Sequence, residues 1–291
     1  MQGRLGSGSK KNSMTGNIHP TAVIHPGAGL GADVRIGPYT IVEADVEIGA
    51  GCTIGPSVVI ASGTRMGKGC QVFQGASVGA IPQDLKFSGE KTLLRIGEHT
   101  TIREFCTLNR GTKAKGETVV GSHCHLMAYC HIAHDCQVGD YFVAANYSAL
   151  AGHVTIGNHV RAGGVTAVVQ FCQVGDHSFL GAYSLITKDV VPFALVAPGP
   201  VRIVGINKIG LERDGFDEPR RREIRRAYQI LFRRGLTCDN ALRTLQAEFP
   251  QNNDVASIVA FAAQSKRSLL RMRREASDDE SEGSPGVVPL R

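Results

Sequence analysis

An aliphatic residue recurs at every sixth position of this chain. From Ile18 the series runs through Ile24, Leu30, Ile36, Val42, Ile48, Ile54, Ile60, Met66, Val72 and Val78 without losing phase. It resumes at Ile96, Ile102 and Leu108, then continues from Val120 to Ile186, with Ala144 and Ala162 as its weak members. A period of six is neither the 3.6 of a helix nor the 2 of an isolated strand. It predicts short strands joined by tight corners, three to a turn, coiling into a triangular prism with the aliphatic residues inside. Residues 18 apart then stack along the prism axis at the strand spacing of about 4.8 Å. Glycine commonly follows the aliphatic residue, at Gly31, Gly37, Gly49, Gly55 and Gly67. It is expected to supply the free dihedrals of each corner.

The rhythm fixes the organisation of the chain. The prism spans 18–190, interrupted at 79–95 and 109–119 by polar stretches that preserve the phase and therefore read as loops thrown out from a corner. A Pro-rich linker follows over 191–207, then an α-helical domain over 208–275. Its first helix is capped by Asp217, carries Pro219 in its first turn and stops at Gly235. Thr237 opens a second helix that ends before Pro250, and a third is expected from about Asp254 to Arg271. These helices can cover the open end of the prism, whose last coil would otherwise expose unpaired strand edges. Residues 1–17, rich in Gly and Ser and without an acidic residue, read as a tag or transit-peptide remnant; the acidic 276–291 reads as a disordered tail.

Composition narrows the function. Among 291 residues there is no Trp and no run of 18 apolar positions, so no membrane span is expected. The net charge of +6 is concentrated at Arg220, Arg221, Arg222, Arg225, Arg226, Arg233 and Arg234. So local an excess points to an acidic partner rather than to nucleic acid. Seven of the eight cysteines fall four places after the aliphatic position, a slot otherwise held by small residues such as Ala22, Ala28 and Val34. They read as free core thiols in a reducing compartment. Cys124, Cys130 and Cys136 lack zinc spacing, and no metal or cofactor is expected.

Six of ten histidines lie between 123 and 159, although the core of such a coil has no use for imidazole. His123, His125 and His159 read as solvated corner residues. The segment His131–Cys136 (HIAHDC) differs, because adding 18 carries His134 to Gly152 and Asp135 to His153. A histidine against a glycine N–H offers a general base beside an oxyanion donor, which suffices for acyl transfer to a hydroxyl. Asp135 would orient the imidazole, a role that needs a corner, since neighbouring strand residues point to opposite faces. No Ser or Cys nucleophile has a partner, which favours direct transfer.

In order along the chain, QDLKFSGE (83–90), IREFCTLNRGT (102–112), HIAHDC (131–136), LAGHV (150–154), QFCQVG (170–175) and GLERDGF (210–216) resemble the UDP-N-acetylglucosamine O-acyltransferases of lipid A biosynthesis. The resemblance runs from about Ile18 to Leu270. It implies a left-handed parallel β-helix, an all-β solenoid with a C-terminal α-helical domain, against the usual right-handed crossover. It also implies a homotrimer that moves a 3-hydroxyacyl group from acyl carrier protein to UDP-N-acetylglucosamine, with active sites between neighbouring prisms. On that resemblance His134 is the base and Gly152 the oxyanion donor. Asp84, Lys86, His131, His153, Gln170, Asn207 and Arg213 contact substrate, Ala182 gauges the acyl chain, and the arginine-rich helix attracts the carrier protein. The chain departs from the family at Asn109, Val169, Ile209 and Asp214, which puts the sugar nucleotide in question more than the reaction.

Two alternatives remain open: a related N-acyl- or acetyltransferase, and a γ-type carbonic anhydrase. The second needs a pair of histidines at H-x4-H, and this chain has none. Both tails together imply an organelle homologue, placed in mitochondria; otherwise the expected compartment is the bacterial cytoplasm.

Overall fold

The computed structural model describes residues 17–273, so the leader expected before residue 17 and the acidic tail lie outside the described residues. Most strands are two residues long, as the six-residue rhythm requires. Among the described residues they form three sheets of nine, eight and ten strands, one per face of the prism. Val23–Ile24 pairs in parallel with Ile41–Val42, and that strand with Val59–Ile60, each step being 18 residues. Across the first insertion the step from Ser77 to Thr107 is 30 (18 + 12), and across the second the step from Thr107 to His131 is 24 (18 + 6). Both excesses are multiples of six, which is why the phase survives. The coil is a left-handed parallel β-helix.

From Ile36 onward the aliphatic positions are buried, while Ile18 is exposed and Ile24 and Leu30 are half-buried at the open end; seven cysteines lie among the buried ones as free thiols. Each inward Ile or Leu contributes about 1.5–3 kcal/mol of burial. Cys136 Sγ donates to the Ala151 carbonyl of the next coil at 3.1 Å. Burial pushes the Cys124 thiol to about 11 and that of Cys136 to about 12, so both are protonated core thiols at neutral pH.

The corners correct one expectation. Gly31, Gly37, Gly49, Gly55 and Gly67 do not carry the left-handed dihedrals. A Cβ on any of them would fall within 2.5–3.0 Å of the backbone of the next coil, so glycine is there for close stacking. The left-handed residue comes two positions later and is usually large, as at Tyr39 (φ 59°), Asp135 (φ 60°), His153 (φ 62°) and His177 (φ 56°). Rings at successive corners stack along the edges, for instance Tyr129 on Tyr147 at 5.0 Å and His159 on His177 at 4.6 Å.

The expected linker is a hairpin. Ala194–Ala197 adds in parallel to Phe179–Leu180, and Arg202–Ile206 returns antiparallel to it, extending the ten-stranded face. A short helix that the sequence did not announce, α1 (Lys208–Arg213), follows under the cap of Asn207. Helix α2 (Glu218–Arg233) starts where Asp217 accepts from the Arg220 N–H at 2.9 Å. Helix α3 (Cys238–Glu248) is capped by Thr237, as expected. Helix α4 (Asn253–Gln264) ends seven residues before Arg271, because the chain turns back to the prism there: Ser265 Oγ donates to Asp189, and Leu269 and Met272 bridge to Asp189 and Ile203.

Candidate active site

Both insertions leave from the same edge of the prism, between the nine- and eight-stranded faces. The strands Ser77–Ala80 and Leu93–Ile96 bracket the first, and Thr107–Asn109 and Glu117–Val120 the second. The flanking residues pair within the sheets, so the loops proper are shorter than 79–95 and 109–119. Asn109 is buried at their base, its Nδ2 donating to the Ile81 carbonyl at 3.0 Å. Asn109 thus ties the two loops together.

His134, Gly152 and Gln170 succeed one another along this edge, followed in the next column by Asp135, His153 and Phe171. Backbone bonds fix the register: His153 N–H donates to the His134 carbonyl at 3.0 Å, and Phe171 N–H to that of Gly152 at 3.2 Å. The left-handed conformation of Asp135 turns its carboxylate back to its own neighbour, and His134 Nδ1 meets Asp135 Oδ2 at 2.8 Å. Adjacent residues on a strand would point apart. The corner makes the pair possible.

Asp135 is fully buried. Burial alone would raise its carboxyl, but hydrogen bonds from His134 and Thr112 outweigh it and hold the group below the ordinary carboxylate range. An ionised Asp135 accepts from Nδ1–H of His134, which leaves Nε2 as the basic nitrogen. That nitrogen lies over Gly152: a Cβ at Gly152 would sit 2.6 Å from both Nε2 and Cε1 of His134. On the edge between the eight- and ten-stranded faces the N–H equivalent to Gly152's is capped by a side chain, as where Ser122 N–H donates to Asp140 and Asp140 N–H to Asn158, whereas on this edge, among the described residues, those of His134 and Gln170 are left open too. Among the described residues the Gly152 N–H has no such acceptor. It is a free donor within reach of a base.

The flanking histidines complete the edge. His153 stacks on Phe171 at 4.7 Å and stands at 89° to His134, with Nε2 3.7 Å from Asp135 Oδ2. Burial lowers its pKa, only partly opposed by Asp135. His131 Nδ1 shares a hydrogen bond of 2.7 Å with Thr107 Oγ1, and burial lowers its pKa too. Asp84, whose charge also reaches His153, shapes the first loop by accepting from the Lys86 N–H at 3.0 Å; the Lys86 side chain is exposed.

Three expected contact residues are elsewhere. Asn207 donates to the His177 carbonyl at 2.8 Å, on the edge between the eight- and ten-stranded faces, and Arg213 ends the helix that Asn207 caps. Ala182 is exposed on the third edge. Of the departures, Val169 is half-buried, Ile209 is exposed, and Asp214 Oδ2 takes a 2.8 Å bond with His177 Nδ1. Two groups of three potential ligands occur among the described residues, His134/Asp135/His153 and His159/His177/Asp214. Sequence reasoning missed Thr112, Lys115 and Thr118, which all bond to Asp135 from the second insertion. Thr118 lies one plain coil before Asp135 and the 18-residue step could have found it, whereas Thr112 and Lys115 sit in the insertion itself, where that step does not apply.

Residues 189–270 match the family model described as "Udp N-acetylglucosamine O-acyltransferase; Domain 2", and 27–62 match "Bacterial transferase hexapeptide (six repeats)". The acyl-[acyl-carrier-protein]–UDP-N-acetylglucosamine O-acyltransferase of Thiobacillus denitrificans is 48% identical over 255 residues, covering 87% of this chain and 99% of that protein. Among solved structures, LpxA from Acinetobacter baumannii is 42% identical with a TM-score of 0.85, covering 88% of this chain and 100% of that one. The Arabidopsis UDP-N-acetylglucosamine acyltransferase is 31% identical with a TM-score of 0.78, covering 87% and 100%. The bacterial relatives are thus nearer than the plant one, and the organelle expectation gains no support. No helix among the described residues is long and apolar enough to cross a membrane.

Proposed function

The chain belongs to the acyl-[acyl-carrier-protein]–UDP-N-acetylglucosamine O-acyltransferases, and from that premise we propose how this edge performs the transfer. It is an acyltransferase of lipid A biosynthesis. The acceptor is UDP-N-acetylglucosamine, the donor a 3-hydroxyacyl group on acyl carrier protein, and the working place the bacterial cytoplasm. His134 Nε2 takes the proton from the glucosamine 3-hydroxyl as its oxygen attacks the thioester carbonyl. The Gly152 N–H receives the developing oxyanion, and Asp135 stabilises the imidazolium. As the new C–O bond forms and the C–S bond breaks, His134 returns the proton to the departing thiolate. The observation that carries this reading is the base held over an unused N–H, with an ionised carboxylate behind it. Incubation with both substrates tests it: the sugar nucleotide should gain the mass of the acyl group as an ester, and absence of that product with every chain length overturns it.

His131, His153, Gln170, Asp84 and Lys86 lie on the edge of His134 and are read as substrate contacts. Asn207 and Arg213 lie on another edge, so contact with the same substrate requires a second copy of the chain; a closed trimer supplies it at every site. Mixing His134→Ala with Asn207→Ala, each inactive alone, should restore about a quarter of wild-type activity by random assortment in trimers. No recovery would return both residues to one chain. Ala182, on the third edge, is read as the gauge of acyl length. Carrier-protein docking falls to the exposed Arg222, joined by Arg225 in its loose 3.7 Å pair with Glu218, because Arg221 is buried against Glu212 and Glu218 and Arg220 is tightly paired with Asp254.

A further inference from the structure

The second insertion holds every polar atom of Asp135. Thr112 N–H donates to Oδ1 at 3.0 Å and Thr112 Oγ1 to Oδ2 at 2.7 Å. Lys115 Nζ donates to the Asp135 carbonyl at 2.9 Å, and the Asp135 N–H donates to Thr118 Oγ1 at 2.8 Å. Nothing about a tolerated surface loop demands four bonds to one residue. A fully buried carboxylate is costly unless it is met by donors, and the ammonium of the exposed Lys115 bonds to the backbone oxygen instead. Thr112 supplies two of the three donors on the carboxylate; His134 supplies the third.

That arrangement has a directional consequence. Without the Thr112 hydroxyl the backbone N–H still holds Oδ1, but Oδ2 keeps His134 alone, and the carboxylate is free to turn about the Oδ1 bond and withdraw a defined acceptor from His134 Nδ1–H. The imidazole can then carry its proton on Nε2, the nitrogen over Gly152, where it is useless as a base. The opposite tautomer is enforced only while both carboxylate oxygens are anchored.

We propose that Thr112 is a positioning residue for the transfer: it fixes Asp135, and through Asp135 the tautomer and orientation of His134. The proposal rests on His134 being the base. Thr112 touches neither substrate in this account, so its effect belongs in turnover and in the ionisation of the base.

The experiment compares wild type, Thr112→Val, Thr112→Ser and His134→Ala in the acyl-transfer assay, across pH and with each substrate varied up to saturation. Thr112→Val should lower kcat by roughly 10- to 100-fold, the range for a hydrogen bond to a charged group, with both KM values unchanged. The acid limb of kcat/KM should move to lower pH, because a carboxylate turned away from Nδ1 no longer holds the imidazolium. Thr112→Ser, which keeps the hydroxyl, should restore the rate and the limb. If the valine variant does not fold, Thr112→Ala gives the same comparison. A Thr112 variant within twofold of wild type overturns the proposal while an inactive His134→Ala leaves the base standing. A slower variant whose acid limb stays in place, or one that serine does not rescue, also overturns it. Retained activity in His134→Ala instead sinks the assignment of the base itself.

Discussion

Two His–Asp pairs among the described residues have the same separation and different surroundings. His134 and Asp135 meet at 2.8 Å on one edge of the prism, and His177 and Asp214 meet at 2.8 Å on the next. Both sit at left-handed corners, and both histidines have a second histidine beside them. The difference lies in what surrounds the ring. His177 is packed between His159 and Phe193, with Phe216 edge-on at 5.0 Å, and Asp214 is the C-cap of α1. The pair therefore rivets the helical domain to the prism. His159 and His177 are parallel to within 8°, so their ring lone pairs do not converge on one ion. His134 has a free N–H under its second nitrogen instead of a ring, and a loop that locks its partner. A His–Asp distance alone does not identify a catalytic pair; the state of the other nitrogen does.

The contrast can be broken in graded steps. Asp135→Asn should be the most damaging, because an amide offers its own N–H to donors already aimed at the site. By analogy with the tautomer lost in Ser–His–Asp enzymes, kcat should fall on the order of 10^3–10^4-fold with the fold intact. Asn tolerates the left-handed corner, so a collapse of the fold would contradict the account. Gly152→Ala should cost about 10^2–10^3-fold in kcat, since the added Cβ displaces the ring and the oxyanion donor with it. Wild-type turnover in that variant would remove Gly152 from the mechanism. On the other edge, His177→Ala should lower stability by about 1–3 kcal/mol, measured by denaturant unfolding, and leave kcat within about twofold. A loss of turnover comparable to that of the catalytic edge would erase the distinction between the pairs.

The smallest effect is in pH. Burial lowers the pKa of His125, His131, His153 and His159 in the fold. As pH falls below about 6.5, the unfolded chain binds protons first. The stability present above that pH is therefore lost progressively as pH drops through the folded values. Asp135, also lowered, adds to the loss only below about pH 4. Thermal melts should show a lower midpoint at pH 5.5 than at 7.5; a higher one would contradict the burial of these rings.

Much of this was legible in the chain because the repeat is local. Six residues dictate one side of the prism, and two residues 18 apart with no insertion between them must be neighbours, which is how His134 and Gly152 were paired. The same arithmetic is blind to Thr112, whose distance from Asp135 in sequence includes an insertion. The corner glycines were misread because a left-handed dihedral was expected to require glycine. Stacking lets Tyr, His and Asp adopt it, while glycine is needed where coils approach closely. The hairpin was hidden by its prolines, which fall at Pro198 and Pro200 in the turn and leave the flanking strands free to pair. Helix α1 spans too few residues to show a helical period.

The central claim is that His134 is the base, and turnover of His134→Ala with UDP-N-acetylglucosamine and 3-hydroxyacyl carrier protein tests it most directly. The account predicts a folded trimer whose kcat is lower by at least about 10^2-fold, the contribution of a positioned general base. A variant that turns over within a few-fold of wild type would contradict it.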